Sequence, residues 1–335
     1  MPQKHYTIPV FIPELACPNR CVFCNQQKIS GQILIPEEAE IIAQIEMYLE
    51  GFPPGAHIEI GFFGGSFTGV PVNEQEHFLG IAQPYLRNGQ VHGIRVSTRP
   101  DYISESRLDL LQNYGVTTIE LGAQSLDEEV LLKSKRGHSI TDVEKAASLI
   151  RSYGFSLGLQ MMTGLPGDTL EKTLMTAHRI VELGADNTRI YPALVIKNTE
   201  LEDLYLAEQY VPLSVEEAVF RVKQIIPIFE EADITILRIG LHPSEGLLNG
   251  DDLVAGPFHP SFRELAETAL WGDLFQDLSL LASSDVLEIS VPIGQRNMAI
   301  GYNAVNRKQL SLKHKKVQFV ENASLRNHQF SYWLF

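Results

Sequence analysis

Cysteine is almost absent from this chain. Three stand in 335 residues, Cys17, Cys21 and Cys24, and all three lie inside the stretch ACPNRCVFCNQ (16–26). A single cluster of three argues against a disulfide framework, which spreads an even number of cysteines through a small domain. Long apolar runs are missing too: no stretch of 18 or more residues could cross a bilayer as a helix. The opening MPQKHYTIPVF has neither a charged region followed by a long apolar stretch nor a small-residue cleavage site. The expectation is a soluble, unprocessed, cytoplasmic protein with reduced thiols.

Positive charge is scarce. The chain has 27 Lys and Arg against 41 Asp and Glu, a formal charge of -14. The deficit is uneven, because residues 289–335 carry Arg296, Arg307, Lys308, Lys313, Lys315, Lys316 and Arg326 against Glu321 alone. An acidic body with a basic C-terminal segment can grip a polyanion locally; a solvated face that offsets the body is the plainer reading of the same residues.

What is abundant is a repeating pattern. Short β-rich runs (5–12, 57–63, 93–98, 116–123, 155–162, 187–196) alternate with amphipathic stretches of helical length (36–51, 73–87, 104–115, two over 127–153, and 169–184). Six such βα units predict parallel strands joined by crossover helices. Six are too few for a closed eight-stranded barrel, so the expected fold is α/β, a partial, open (β/α)6 TIM-like barrel. After residue 196 the regularity stops. A helix over 214–233, a strand over 234–240, a Gly/Pro-rich loop over 241–260, a helix over 261–281, a strand over 286–293, a helix from Gln295 to about Leu312 and a strand near 316–320 read as a small α+β appendage. The division expected is residues 1–200 for the barrel and 201–335 for the C-terminal α+β extension.

Three thiols at spacing C-x3-C-x2-C, on a loop just past the first strand, can all turn toward one metal centre. Structural zinc needs four ligands, and the nearest histidines, His5 and His57, lie outside the loop. A [4Fe-4S] cluster fits better: three cysteines hold three irons and leave the fourth open to bind a substrate.

These residues resemble a known family. Cys17, Cys21, Phe23 and Cys24 form C-x3-C-x-aromatic-C on the first βα loop, as in the radical S-adenosylmethionine (SAM) enzymes. The resemblance implies that the open iron chelates the amine and carboxylate of SAM, and that reductive cleavage yields methionine and a 5'-deoxyadenosyl radical that abstracts hydrogen. It also implies a reductant such as flavodoxin or ferredoxin.

Gly64 and Gly65, in GFFGGSFTG after the second strand, let the backbone approach a ligand. By resemblance this segment binds the SAM amine, with Ser66 and Thr68 as polar contacts. At later strand ends stand Ser97, Thr98 and Arg99, then Gln124, Arg136, Gln160 and Met162. The resemblance puts the third strand end and Arg136 near the SAM carboxylate and ribose, and the GLPG turn (164–167) beside the adenine. Tyr191, ending the sixth strand, is a candidate substrate contact.

The strings TRPDYI, IELGAQSLDEEVL, KRGHS, QMMTGLPGDT, RIYPALVIKNTELEDLY and ILRIG are similar, in order and spacing, to the radical SAM half of the elongator catalytic subunits, which modify the wobble uridine of tRNA. The match runs from about residue 5 to about 240. The segment beyond 240 is too short and wrongly patterned for their acetyltransferase domain, and only four residues precede His5 where they carry a basic extension. The carboxymethyl reaction is therefore not expected simply to carry over. Oxygen-independent coproporphyrinogen oxidase shares the three-cysteine loop, but Asn25 and Gln26 stand where it has a further cysteine. A second cysteine cluster, needed by enzymes with an auxiliary iron–sulfur centre, is also missing.

Gly294-Gln295-Arg296-Asn297 sits at a strand-to-helix junction suited to a phosphate or carboxylate, which makes Arg296 a second candidate substrate contact. The expected function is radical SAM chemistry with tRNA as the candidate substrate, gripped through the basic segment. The alternatives are a small metabolite or peptide substrate, or a non-catalytic iron–sulfur redox sensor.

Overall fold

The computed structural model of the chain describes residues 5–12, 21–25, 28, 34–241 and 244–335. Seven strands lie parallel in one sheet: β1 (His5–Phe11), β2 (His57–Phe63), β3 (Gly93–Thr98), β4 (Val116–Gln124), β5 (Ser156–Thr163), β6 (Asn187–Pro192) and, after the two-residue β7 (Val195–Ile196), β8 (Thr235–Ile239). Their order is β1-β2-β3-β4-β5-β6-β8. The sheet curls into a half-barrel.

The helices between them are α1 (Glu38–Gly51), α2 (Val72–Arg87), α3 (Glu105–Asn113), α4 (Glu128–Lys133), α5 (Ile140–Ser152), α6 (Leu170–Glu182), α7 (Glu200–Leu206) and α8 (Val215–Glu231). Several starts are written in the sequence. Ser139 with Asp142, and Ser214 with Glu217, form reciprocal capping boxes, while Thr169 caps α6. Alternate strand residues face the helices: Ile8, Val10, Ile60, Phe62, Ile94, Val96, Ile119, Leu121, Leu157 and Leu159 are buried in the main core. The intervening residues line the concave face, and many of them are polar.

Six strands were expected and seven are present. The run 234–240, read as part of the appendage, pairs in parallel with β6 through Asn187↔Thr235 and Ile190↔Ile239. The long crossover through β7, α7 and α8 breaks the βα period without leaving the sheet.

Beyond it, the four-residue α9 (Glu245–Leu248) precedes β9 (Leu253–Ala255), which pairs with β7, and α10 (Phe262–Leu274) packs on α8. Next in the chain is a three-stranded sheet, with β10 (Val286–Val291) between β11 (Lys316–Glu321), parallel to it, and β12 (Ser331–Leu334), antiparallel. It has its own core of Trp271, Phe275, Leu287, Ile289, Val291 and Phe319. The single helix expected from Gln295 to about Leu312 is instead two, α11 (Arg296–Ile300) and α12 (Val305–Leu310). Gly301, Asn303 and Ala304 have φ of 87°, 53° and 58°, so the chain reverses there. A side chain at Gly301 would also meet Thr268 Cγ2 at 3.0 Å.

Candidate active site

The C-terminal ends of the parallel strands form the mouth of the half-barrel, where such folds place their ligands. Of the three cysteines, Cys17 lies outside the described residues. Cys21 is buried and Cys24 half-buried, joined in one turn by the Cys24 N–H donating to the Cys21 carbonyl at 3.0 Å. Two further backbone bonds anchor this segment: Val22 N–H donates to the Ser134 carbonyl (3.2 Å), and Leu201 N–H donates to the Val22 carbonyl (2.7 Å). The end of α4 and the start of α7 therefore hold the cysteine turn.

Arg136 connects that turn to the sheet. Its Nη1 donates to Cys21 Sγ at 3.1 Å, and its Nη2 donates to the Gly122 carbonyl at 2.6 Å. Its guanidinium carbon stands 5.9 Å from the Phe23 ring centroid. Arg99, at the end of β3, donates from Nη2 to the Arg136 carbonyl at 2.7 Å and is itself held by both oxygens of Asp101. A fixed guanidinium suits a sulfur that carries charge as a metal thiolate. Beside it, burial and then the charges of Arg136 and Arg99 hold the His138 imidazole down at about 4, so it is neutral at physiological pH.

Gln124 is aimed by the backbone. The β4–β5 register shifts between Leu121 and Gln124, and Gln124 has φ 66°, the left-handed region that non-glycine residues seldom enter. Its amide thereby folds over Gly122 beside the Arg136 guanidinium. Gln124 Oε1 and Arg136 Nε are both buried and without a hydrogen-bond partner among the described residues. Strained backbone and unsatisfied polar atoms in one place mark a site built to receive something.

The other expected residues divide. Gly64 has φ 104°, and a Cβ there would meet the Ile12 carbonyl oxygen at 2.8 Å, so only glycine lets the turn after β2 close on the end of β1. Gly65 and the buried Ser66 come next in that turn. Met162 packs against the cluster that contains Cys21, Val22 and Phe23. Thr98, buried, shares a 2.6 Å bond with Thr68 Oγ1, and Thr68 donates on to the Tyr102 carbonyl at 2.8 Å. Both hydroxyls serve the loop after β3. Gln160 donates to Glu120 Oε2 at 2.8 Å, below the mouth. The GLPG turn lines a cavity of about 460 Å³ with Lys133, Tyr210 and Arg221. Arg296 stands exposed on α11 in the extension, and Gly294 N–H there donates to Glu321 Oε1 at 3.0 Å.

The floor of the site is a charged network that no motif in the sequence reveals. Arg95 Nη2 donates to Glu59 Oε2 and Arg95 Nη1 to Glu120 Oε1, each at 2.8 Å, while Arg189 grips both Glu120 oxygens at 2.7 and 3.0 Å. Burial pushes the Glu120 carboxyl up, but Arg189 and Arg95 outweigh it and hold it at about 2. Burial likewise raises the Tyr191 hydroxyl, which lies beside Arg189. Strands buried on both faces read as nearly continuous apolar runs, so charges at Glu59, Arg95, Glu120 and Arg189 were the available signal.

Two family models match the chain: the radical SAM superfamily over residues 12–180, and the radical SAM C-terminal domain over 185–271. Relatives include a tRNA uridine(34) acetyltransferase of Dehalococcoides mccartyi, 26% identical over 239 residues, which are 61% of this chain and 52% of that protein. An uncharacterised protein of Methanocaldococcus jannaschii is 30% identical over 62% of this chain and 67% of its own. The human Elongator complex protein 3 is 33% identical over 51% of this chain and 35% of its own. The chain thus spans about half or less of the acetyltransferase and Elongator relatives. Among solved structures, archaeal Methanocaldococcus infernus Elp3 superposes with a TM-score of 0.64 at 20% identity, over 84% of this chain and 66% of that one, which is a likeness of fold. With half the chain matched by its model and the cysteine turn at the mouth of a parallel half-barrel, the protein is an enzyme of the radical SAM superfamily.

Proposed function

We propose that Cys17, Cys21 and Cys24 hold a [4Fe-4S] cluster at the barrel mouth and that SAM occupies the space beside it. The residues present suit that pair. Cys21 and Cys24 lie in one turn with a guanidinium on the first sulfur, and Gln124 Oε1 and Arg136 Nε are buried polar atoms without a partner among the described residues. When bound, the two cofactors supply a 5'-deoxyadenosyl radical for hydrogen abstraction.

The chain's own residues orient and enclose. Arg136 fixes the cysteine turn against Gly122, and Phe23 packs under that guanidinium. Gln124 presents its carbonyl oxygen to a ligand donor, the SAM amine or a ribose hydroxyl. Gly64, Gly65 and Ser66 form the opposite wall, and Met162 backs the pocket from the core. The Glu59–Arg95–Glu120–Arg189 floor closes the barrel below with matched charge, leaving Tyr191 at its edge as the residue facing substrate. An external reductant such as flavodoxin or ferredoxin delivers the electron.

The substrate we infer is RNA, with tRNA first. The observation that favours it is the basic segment: Arg296, Arg307, Lys308, Lys313, Lys315, Lys316 and Arg326 are all solvent-exposed on the extension of a chain that is otherwise strongly acidic. Phosphate contacts through such residues weaken steeply with salt. Anaerobic turnover with and without bulk tRNA, at low and moderate salt, tests this. Salt-sensitive stimulation of 5'-deoxyadenosine release supports RNA. Unchanged release with tRNA, and stimulation by a small-molecule or peptide pool, would transfer the assignment to those substrates.

A further inference from the structure

We propose that His5, His57 and Glu59 bind a divalent transition ion of the zinc class at the N-terminal end of the sheet, remote from the cysteine turn. One ligand atom from each of the three lies within 4.8 Å of the others. The sheet brings them together. His5 and His57 are direct register partners on β1 and β2, so their rings stack on one face at 5.1 Å, and Glu59 comes two residues on, on the same face.

The carboxylate is held in place from behind. Arg95 Nη2 and Nε donate to Oε2 at 2.8 and 3.1 Å, Thr118 donates to Oε1 at 3.1 Å, and Thr117, 3.0 Å from Oε1, shares its hydroxyl with the Ile94 carbonyl. Such outer contacts orient the ligands of metal sites. The His92 ring lies tilted against His57 at 4.6 Å, but its Nδ1 accepts from the Ile58 N–H at 3.1 Å. Its proton therefore sits on Nε2, and the ring serves as a wall. Two imidazoles and one carboxylate suit zinc, cobalt or nickel, with water in the fourth position, and do not suit the all-oxygen preference of magnesium or calcium. In the metal-free protein His5 Nε2 and Glu59 Oε2 share a 2.9 Å hydrogen bond. The ion takes its place on Nε2, and the His5 ring carries its one remaining proton on Nδ1. The Arg95 charge on the same carboxylate weakens the affinity.

The site has a structural consequence. Among the described residues β1 is the edge strand, paired only with β2, and in the sequence it precedes the cysteines. Seven residues of strand separate the two ends by roughly 20 Å. An ion across His5 and His57 would fix the register of the strand that delivers the cysteine loop, and the N-terminal face of such sheets serves stability rather than chemistry.

The test uses the full chain without a polyhistidine tag, with Cys17, Cys21 and Cys24 all replaced by serine so that no thiol competes. Titration with Co²⁺ should give visible d–d bands that saturate at one ion per chain in the micromolar range. Zn²⁺ should abolish them and raise the melting temperature. Adding His57→Ala or His5→Ala should weaken binding at least tenfold. Absent bands, or bands unchanged by His57→Ala, would overturn the proposal and leave a plain hydrogen-bonded imidazole–carboxylate cluster. Should the serine variant misfold, zinc and iron are assayed together in the wild-type and His57→Ala proteins. Zinc lost with iron retained supports the site, and equal zinc in both refutes it.

Discussion

His328 should make the extension sensitive to alkaline pH. The imidazole lies between two carboxylates: Nδ1 is 2.7 Å from Glu230 Oε2 on α8, and Nε2 is 2.8 Å from Glu267 Oε2 on α10. Both ring nitrogens can donate only when both are protonated, so the geometry requires the imidazolium. Burial lowers the imidazole, but the two carboxylates outweigh it and raise it from 6.5 to about 9. Arg263, at 3.4 Å from Glu267 Oε1, is the other charge facing the cluster. Because the folded-state value is raised, the stabilisation is complete below pH 6.5 and drains away as pH climbs through 9. A shift of this size corresponds to about 3 kcal/mol, a melting-temperature change of roughly 5 °C. Melting curves of wild type and His328→Gln across that window give the assay. Trp271 fluorescence reports locally, since its ring is 5.0 Å from His328. Wild type should lose stability as pH rises, while the variant starts lower and stays flat. Parallel pH profiles would refute the reasoning.

Three further outcomes concern the barrel. Gln124→Ala should weaken SAM binding about tenfold, measured by equilibrium dialysis, with iron content unchanged, because it removes one orphaned acceptor and no cluster ligand. Glu120→Gln strands Arg95 and Arg189 without their shared carboxylate, and should cost about 3–5 kcal/mol in chemical unfolding. Gly64→Ala forces a Cβ to within 2.8 Å of the Ile12 carbonyl at φ 104° and should destabilise by about 1–3 kcal/mol, with a loss of SAM affinity that Gly55→Ala, where the Cβ meets nothing, does not share.

Much of the barrel was legible because its elements obey local rules. The strands His57–Phe63 and Gly93–Thr98 fall where their apolar runs and flanking turns put them. What escaped depended on contacts distant in sequence. β8 looked detached because the crossover before it is long, and nothing in TILRI names its partner. The helix expected from Gln295 to about Leu312 ran through Gly301, which instead caps α11 at φ 87°, and the positive φ of Asn303 and Ala304 after it was not visible from residue type. At the site, the cysteines and Arg136 stood out as residue types in a motif. Thr98 and Gln160 shared that look, yet one hydroxyl is bonded to Thr68 and one amide to Glu120. Strand position was visible in the sequence; which neighbour already held the side chain was not.

The most direct test of the central claim is the anaerobic formation of 5'-deoxyadenosine from SAM after iron–sulfur reconstitution and reduction, in wild type, Cys21→Ala and Arg136→Met. Wild type should release it steadily. Cys21→Ala should release none, and Arg136→Met should fall by at least tenfold while still binding iron. Wild type that carries a full [4Fe-4S] cluster yet yields no 5'-deoxyadenosine would contradict the radical mechanism and favour a redox-sensing role.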